Sequence, residues 1–234
     1  MPATPLNDQD PDVATTSLVV KFLNTIVGPG EVFEEVLASP PSVSNWLAPT
    51  LLVCLSGIVA VFLSSPAGLP VPGLPSQGEP GLEATAPIES SLTHWRAVSL
   101  AATCFAAFVG TFWSAFVLWF IGRVFLKTSF PFPKAIEIAG LASLILVLDV
   151  TVTALLVEAT GSPTARPAFS LILGSNGVGS NAFAVLAALN VFHLWAATLL
   201  ALGLSKLSRV SFGEAAFWVF LYWIGIRIAL ALLR

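Results

Sequence analysis

The sequence predicts an all-α integral membrane protein: a bundle of five transmembrane helices preceded by short amphipathic interfacial helices. Three observations predict it. Five stretches of predominantly apolar residues recur along the chain, each near the ~20 residues needed to cross a hydrocarbon core about 30 Å thick at 1.5 Å per residue. The chain is 56% hydrophobic and only 10% charged, with a mean hydropathy of +0.89, against the roughly 25% charged usage of soluble domains. The apolar runs are also continuous, whereas β-barrel strands would alternate over about ten residues. The formal net charge of -3 provides no basic surface for nucleic acid.

Residues 1–16 read as a disordered tail, with Asp8, Asp10 and Asp12 where a cleavable signal would need a basic start. Residues 17–45 read as a cytoplasmic amphipathic segment. In "SLVVKFLNTIVGPGEVFEEVLASPP" the residues Val19, Phe22, Leu23, Ile26 and Val27 recur with helical spacing, Gly28-Pro29-Gly30 interrupts, and Val32, Phe33, Val36 and Leu37 resume opposite Glu31, Glu34 and Glu35. Two short helices follow from this, lying on the membrane surface or packed beneath the bundle. Their acidic face argues against simple attraction to anionic lipid and favours the packed arrangement. Phe22, Ile26, Phe33, Glu34 and Leu37 are the candidate contacts for a partner.

Residues 46–234 form the transmembrane domain, with spans over 46–64, 95–126, 135–158, 181–204 and 214–233. The second is longer than a bilayer requires, so it tilts or protrudes. Between the first two spans, residues 65–94 are rich in Pro and Gly and carry no cation before His94, which reads as an extended outer loop, either a solvated linker or a segment that binds a partner, the linker preferred. The later stretch "AFSLILGSNGVGS" is too short to span and gives a flexible entry to the fourth helix. Lys21, Arg123, Lys127, Lys134, Lys206 and Arg209 fall on one side of this layout and Arg96, Arg166 and Arg234 on the other. The positive-inside rule therefore places the N-terminus in the cytoplasm and the C-terminus outside, in a cell membrane, which would be the inner membrane of a bacterium.

Within the second span, Ala102, Ala106, Gly110 and Ser114 repeat every four residues, a small-residue strip suited to close helix approach. The aromatics Phe105, Phe108, Phe112, Phe116 and Trp119 crowd its other faces. Cys54 and Cys104 lie in separate apolar runs and read as small buried hydrophobes. Glu137 and Glu214 sit in the first turns of helices that start at the cytoplasmic side, where a carboxylate suits the positive helix end.

Polar residues inside the spans are the candidate functional site. Asp149 and Arg227 fall about 20 Å along two helices that run in the same direction, and the intervening antiparallel span places Asn190 and His193 in the middle third of the bilayer. The cost of an unpaired ion in hydrocarbon predicts an Asp149–Arg227 ion pair, with Asn190 or His193 filling the remaining lone pairs. The layer reads as a structural clasp, as a transport or sensing path, or as separate water-facing residues; the clasp is preferred because nothing marks an unwound helix or a selectivity filter. His193 has no second ligand at i+3 or i+4, so no metal is expected, and no cofactor motif is present. There is no GxSxG, HExxH or Walker loop, and Asp149 has no second aspartate in any span, so an enzyme is not expected.

The entry "GPGEVFEEVLASPPSVSNWLAPTLLV", with Pro29, Phe33, Pro40, Trp46 and Pro49, and the basic turn "GLSKLSRVSFGEA" before the last span, with Lys206, Phe212 and Ala215, resemble the Yip family of multi-pass membrane proteins. The family takes its name from eukaryotic members that interact with Ypt and Rab GTPases. The resemblance implies five helices and a cytoplasmic N-terminus. The chain lacks an Asp-Leu-Tyr-Gly type segment and has a short N-terminal region, and so looks like the prokaryotic branch, for which the resemblance implies no settled activity. The expected function is a non-enzymatic organiser of the membrane that binds a protein partner, membrane lipids or a second copy of itself; the alternative is a small ion or solute transporter or channel built on the polar layer.

Overall fold

The computed structural model describes residues 17–63, 87–162, 165–168 and 189–232. The described residues form seven helices and no strand: α1 (Leu18–Val27), α2 (Pro29–Ala38), α3 (Ser44–Leu63), α4 (Pro87–Val124), α5 (Phe132–Thr160), α6 (Val191–Ser208) and α7 (Phe212–Leu232). Among the described residues four helical stretches are long and apolar enough to cross a membrane: Ser44–Leu63, Arg96–Val124, Phe132–Thr160 and Val191–Ser208. The sequence led us to expect five; the remaining stretch corresponds to α7, 21 residues long, which is not among these four. The expected tail and most of both outer loops lie outside the described residues.

α5 is the axis of the molecule. Every side chain from Lys134 to Ile145 is buried, because α1, α2, α3, α4 and α6 all pack against this half of the helix. Beyond Ile145 the exposure rises, so the core lies at one end of the bundle. Two glycines set the spacing around the axis. A Cβ on Gly140 would run into the backbone and Cβ of Trp46 on α3, and one on Gly203 of α6 would overlap Ile138 on α5. Both positions act as small-residue contacts that let helices approach.

The expected strip on α4 behaves differently. Ala102, Ala106 and Gly110 are exposed, Ser114 is half-buried, and a Cβ on Gly110 would meet nothing within 4 Å. Ala106, Gly110 and Ser114 instead border a gap of about 130 Å3 that also touches α3, α5 and α6. α4 meets α3 through other residues, with the Thr50 and Thr111 hydroxyls 3.1 Å apart and Cys54 Sγ 3.9 Å from the Cys104 carbonyl.

Two helix starts differ from the sequence reading. α4 begins at Pro87 rather than near 95, so its 38 residues rise about 57 Å and exceed one hydrocarbon core. α6 begins at Val191 rather than near 181. The cause is local: Asn190 is extended, forms a bridge with Ala168, and caps the helix by accepting a hydrogen bond from Phe192 N–H at 2.8 Å.

Candidate functional site

Starting α6 at Val191 moves the polar layer. Asn190 and His193 occupy its cap and first turn instead of the middle of a longer span. Measured from the opposite ends of their helices, Asp149 lies about 26 Å beyond Phe132, His193 about 23 Å beyond Ser208 and Arg227 about 23 Å beyond Phe212. All four residues therefore come together, but toward the end of the bundle away from its core.

Their connections follow from the chemistry of each group. Asn190 accepts at its carbonyl oxygen from the α6 backbone, leaving its amide to donate to Asp149 Oδ1 at 2.6 Å. His193 stands between the two charges, with Nε2 at 3.5 Å from Asp149 Oδ2 and Nδ1 at 2.9 Å from Arg227 Nη2. A guanidinium only donates, so Nδ1 must accept, and the ring is then the neutral tautomer with its proton on Nε2, facing the carboxylate. Arg227 also lies over the Trp223 ring, 5.3 Å from its centroid. No direct Asp149–Arg227 ion pair occurs among the described residues; histidine is interposed because it reaches from α6, which lies between α5 and α7.

A second set of polar residues sits at the core end, and sequence reasoning did not identify it. Lys134 and Glu137 are both buried, with side chains 8% and 1% exposed and the ammonium 2.8 Å from Glu137 Oε2. The other two Lys134 hydrogens go to the carbonyls of Val36 at 2.6 Å and Ser39 at 2.7 Å, where α2 ends. Glu137 Oε1 accepts from the Ser42 backbone N–H and from Asn45 Nδ2 at 3.3 Å, where α3 begins. One ion pair thus caps the carbonyl end of one helix and the N–H end of the next, each with the charge that helix end prefers. Glu137 was read from sequence only as a charge suited to the start of its own helix. The available signal was Lys and Glu three apart just after Phe-Pro, opening an otherwise apolar run.

This lock seats α2 in the bundle. Phe33 and Val36 are fully buried in the core, Phe22, Ile26 and Leu37 pack against it, and Glu34 alone of the five expected contact residues is exposed, where it pairs with Lys206 of α6. Phe33 is therefore occupied by the bundle and has no surface to offer a partner. α1 is turned the other way round. It buries Lys21, which pairs with Glu35 at 3.2 Å, and Thr25, which donates to the Lys21 carbonyl at 2.8 Å. Outward it presents Val19, Leu23 and Val27, respectively 68%, 60% and 86% exposed, with Val20 beside them.

Among the described residues every buried side-chain nitrogen and oxygen has a hydrogen-bond partner, and no group of three His, Cys, Asp or Glu comes together as a metal site. A family model described as the Yip1 domain matches residues 23–233. That match identifies a family and does not distinguish a branch within it. No curated protein and no solved structure matches the chain.

Proposed function

Because the chain belongs to the Yip1-domain family of multi-pass membrane proteins, we propose that it is a non-enzymatic organiser of the membrane in which it sits, acting through the outward face of α1 on the cytoplasmic leaflet. α7 supplies the fifth span, and α1 with α2 forms the base on the cytoplasmic side. The observation that carries this reading is the apolar outward face of α1. A helix that buries Lys21 and Thr25 while exposing Val19, Leu23 and Val27 is unfavourable against water and favourable against the boundary between headgroups and acyl chains. The polar core of the base is independent of that face, since α2 is fixed by Lys134 and Glu137.

In this reading the Asn190–Asp149–His193–Arg227 layer is a clasp that ties α5, α6 and α7 together, each group satisfied by the next. The experiment is a depth measurement on the full chain in vesicles, with a nitroxide attached through cysteine at Leu23 or Val27 and, for comparison, at Glu31. Labels at Leu23 and Val27 should be reached by oxygen in preference to a water-soluble nickel reagent, with the order reversed at Glu31. Equal access of the nickel reagent to all three places α1 in water and ends the proposal. Proton or alkali-cation flux into vesicles that disappears in Asp149→Asn replaces it with the transport reading.

A further inference from the structure

α7 packs along α6 and also meets α4, where Trp113 reaches Tyr222. Between α4 and α7 lies a groove of about 410 Å3, lined by residues such as Phe116 and Phe120. It is bounded by two rungs. At one end Trp113 Nε1–H donates to the Tyr222 hydroxyl at 2.5 Å; at the other Phe125 stacks on Trp218 with ring centroids 4.3 Å apart. The first rung pairs the polar atoms of both its rings, so the groove shows its occupant an almost wholly apolar surface.

Charge and shape bear on what could occupy it. On the α4 side the groove runs about 17 Å, from Trp113 to the helix end at Val124 with Phe125 just beyond it, and on the α7 side about 6 Å, from Trp218 to Tyr222. Trp113, Phe116, Phe120 and Phe125 are all exposed, so the groove opens sideways toward the bilayer. Arg123 follows Phe120 by three residues and Phe116 by seven, which places it on the same helix face near the Phe125 end. Its guanidinium lies 5.2 Å from the centre of the Trp119 ring. None of the ion pairs among the described residues involves Arg123, or the exposed cations Lys127 and Arg209 near the same end of the bundle.

We propose that this groove binds one acyl chain of an anionic membrane phospholipid, with the phosphate held by Arg123. A guanidinium matches phosphate oxygens in pairs, and basic positions between helices at the cytoplasmic face are where anionic headgroups are recognised. The tail supplies the contact area and the cation supplies the choice of headgroup.

The test uses the purified full chain in neutral detergent, with phosphatidylglycerol and phosphatidylcholine of identical chains added in equal amounts and bound lipid read by native mass spectrometry. The wild type should retain phosphatidylglycerol about fivefold over phosphatidylcholine, the preference expected of one basic side chain at the membrane surface. Arg123→Gln should bind both equally, whereas Arg96→Gln, toward the other end of α4, should keep the preference. Leu221→Trp should fill the groove and lower retention of both lipids. Chain placement is checked separately with phosphatidylglycerol brominated along its tail, whose quenching of fluorescence should fall in Trp113→Phe. Equal retention by the wild type, a preference that survives Arg123→Gln, quenching unchanged by Trp113→Phe, or a dimer in place of bound lipid would each overturn the proposal.

Discussion

Lys134 and Glu137 stand three residues apart on α5, yet their partners come from α2, the connection after it and the start of α3. Replacing Lys134 by Met strands a carboxylate that is 1% exposed and uncaps two carbonyls. We expect a loss on the order of 3–5 kcal/mol, read as a lowered unfolding midpoint of the full chain in detergent. Lys134→Met combined with Glu137→Leu should recover part of that loss but not all, because the ends of α2 and α3 stay uncapped. Asp149 was legible in the sequence, since an acid deep inside an apolar run has few places to go. The lock was not, because a Lys and a Glu near a helix end look the same in one dimension whether they face water or a neighbouring helix. His193 sets the same limit. Matching depths predicted that Asp149 and Arg227 belong to one layer, but only three dimensions place the imidazole between them.

Among the elements, α3, α5 and α7 start within three residues of where apolar length put them, because the hydrophobic run and the helix coincide there. α6 departs because hydropathy does not register a capping asparagine or a backbone bridge. α1 shows a different limit: its periodicity was plain in the sequence, but the stripe divides in the structure, with Phe22 and Ile26 packed on the core and Val19, Leu23 and Val27 facing outward. The small-residue strip on α4 met the spacing rule without a helix close enough to use it, whereas Gly140 and Gly203, singled out by no repeat, mark the close contacts. Gly140→Leu should therefore separate α3 from α5, at a cost on the order of 1–3 kcal/mol from overpacking, measured as faster unfolding in sodium dodecyl sulfate. Gly110→Leu, where a Cβ meets nothing within 4 Å, should leave that rate unchanged.

At the scale of the whole molecule, the five spans we propose predict that the two ends of the chain lie on opposite sides of the membrane. Reporters fused to each end and assayed for enzymatic activity in intact cells should give opposite signals; matching signals would leave α7 outside the set of spans. The bundle is also uneven along its axis, enclosed from Lys134 to Ile145 and looser beyond, with one polar assembly near each end. The enclosed end has a consequence for how the protein is made. Lys134 follows Val36 by 98 residues, and Glu137 follows Ser42 by 95. A ribosome must therefore complete the first two spans and begin the third before the ends of α2 and α3 can be capped by this pair. Until then α2 is nascent chain without the partners that cap its end, so its seat in the bundle forms only as the third helix is made.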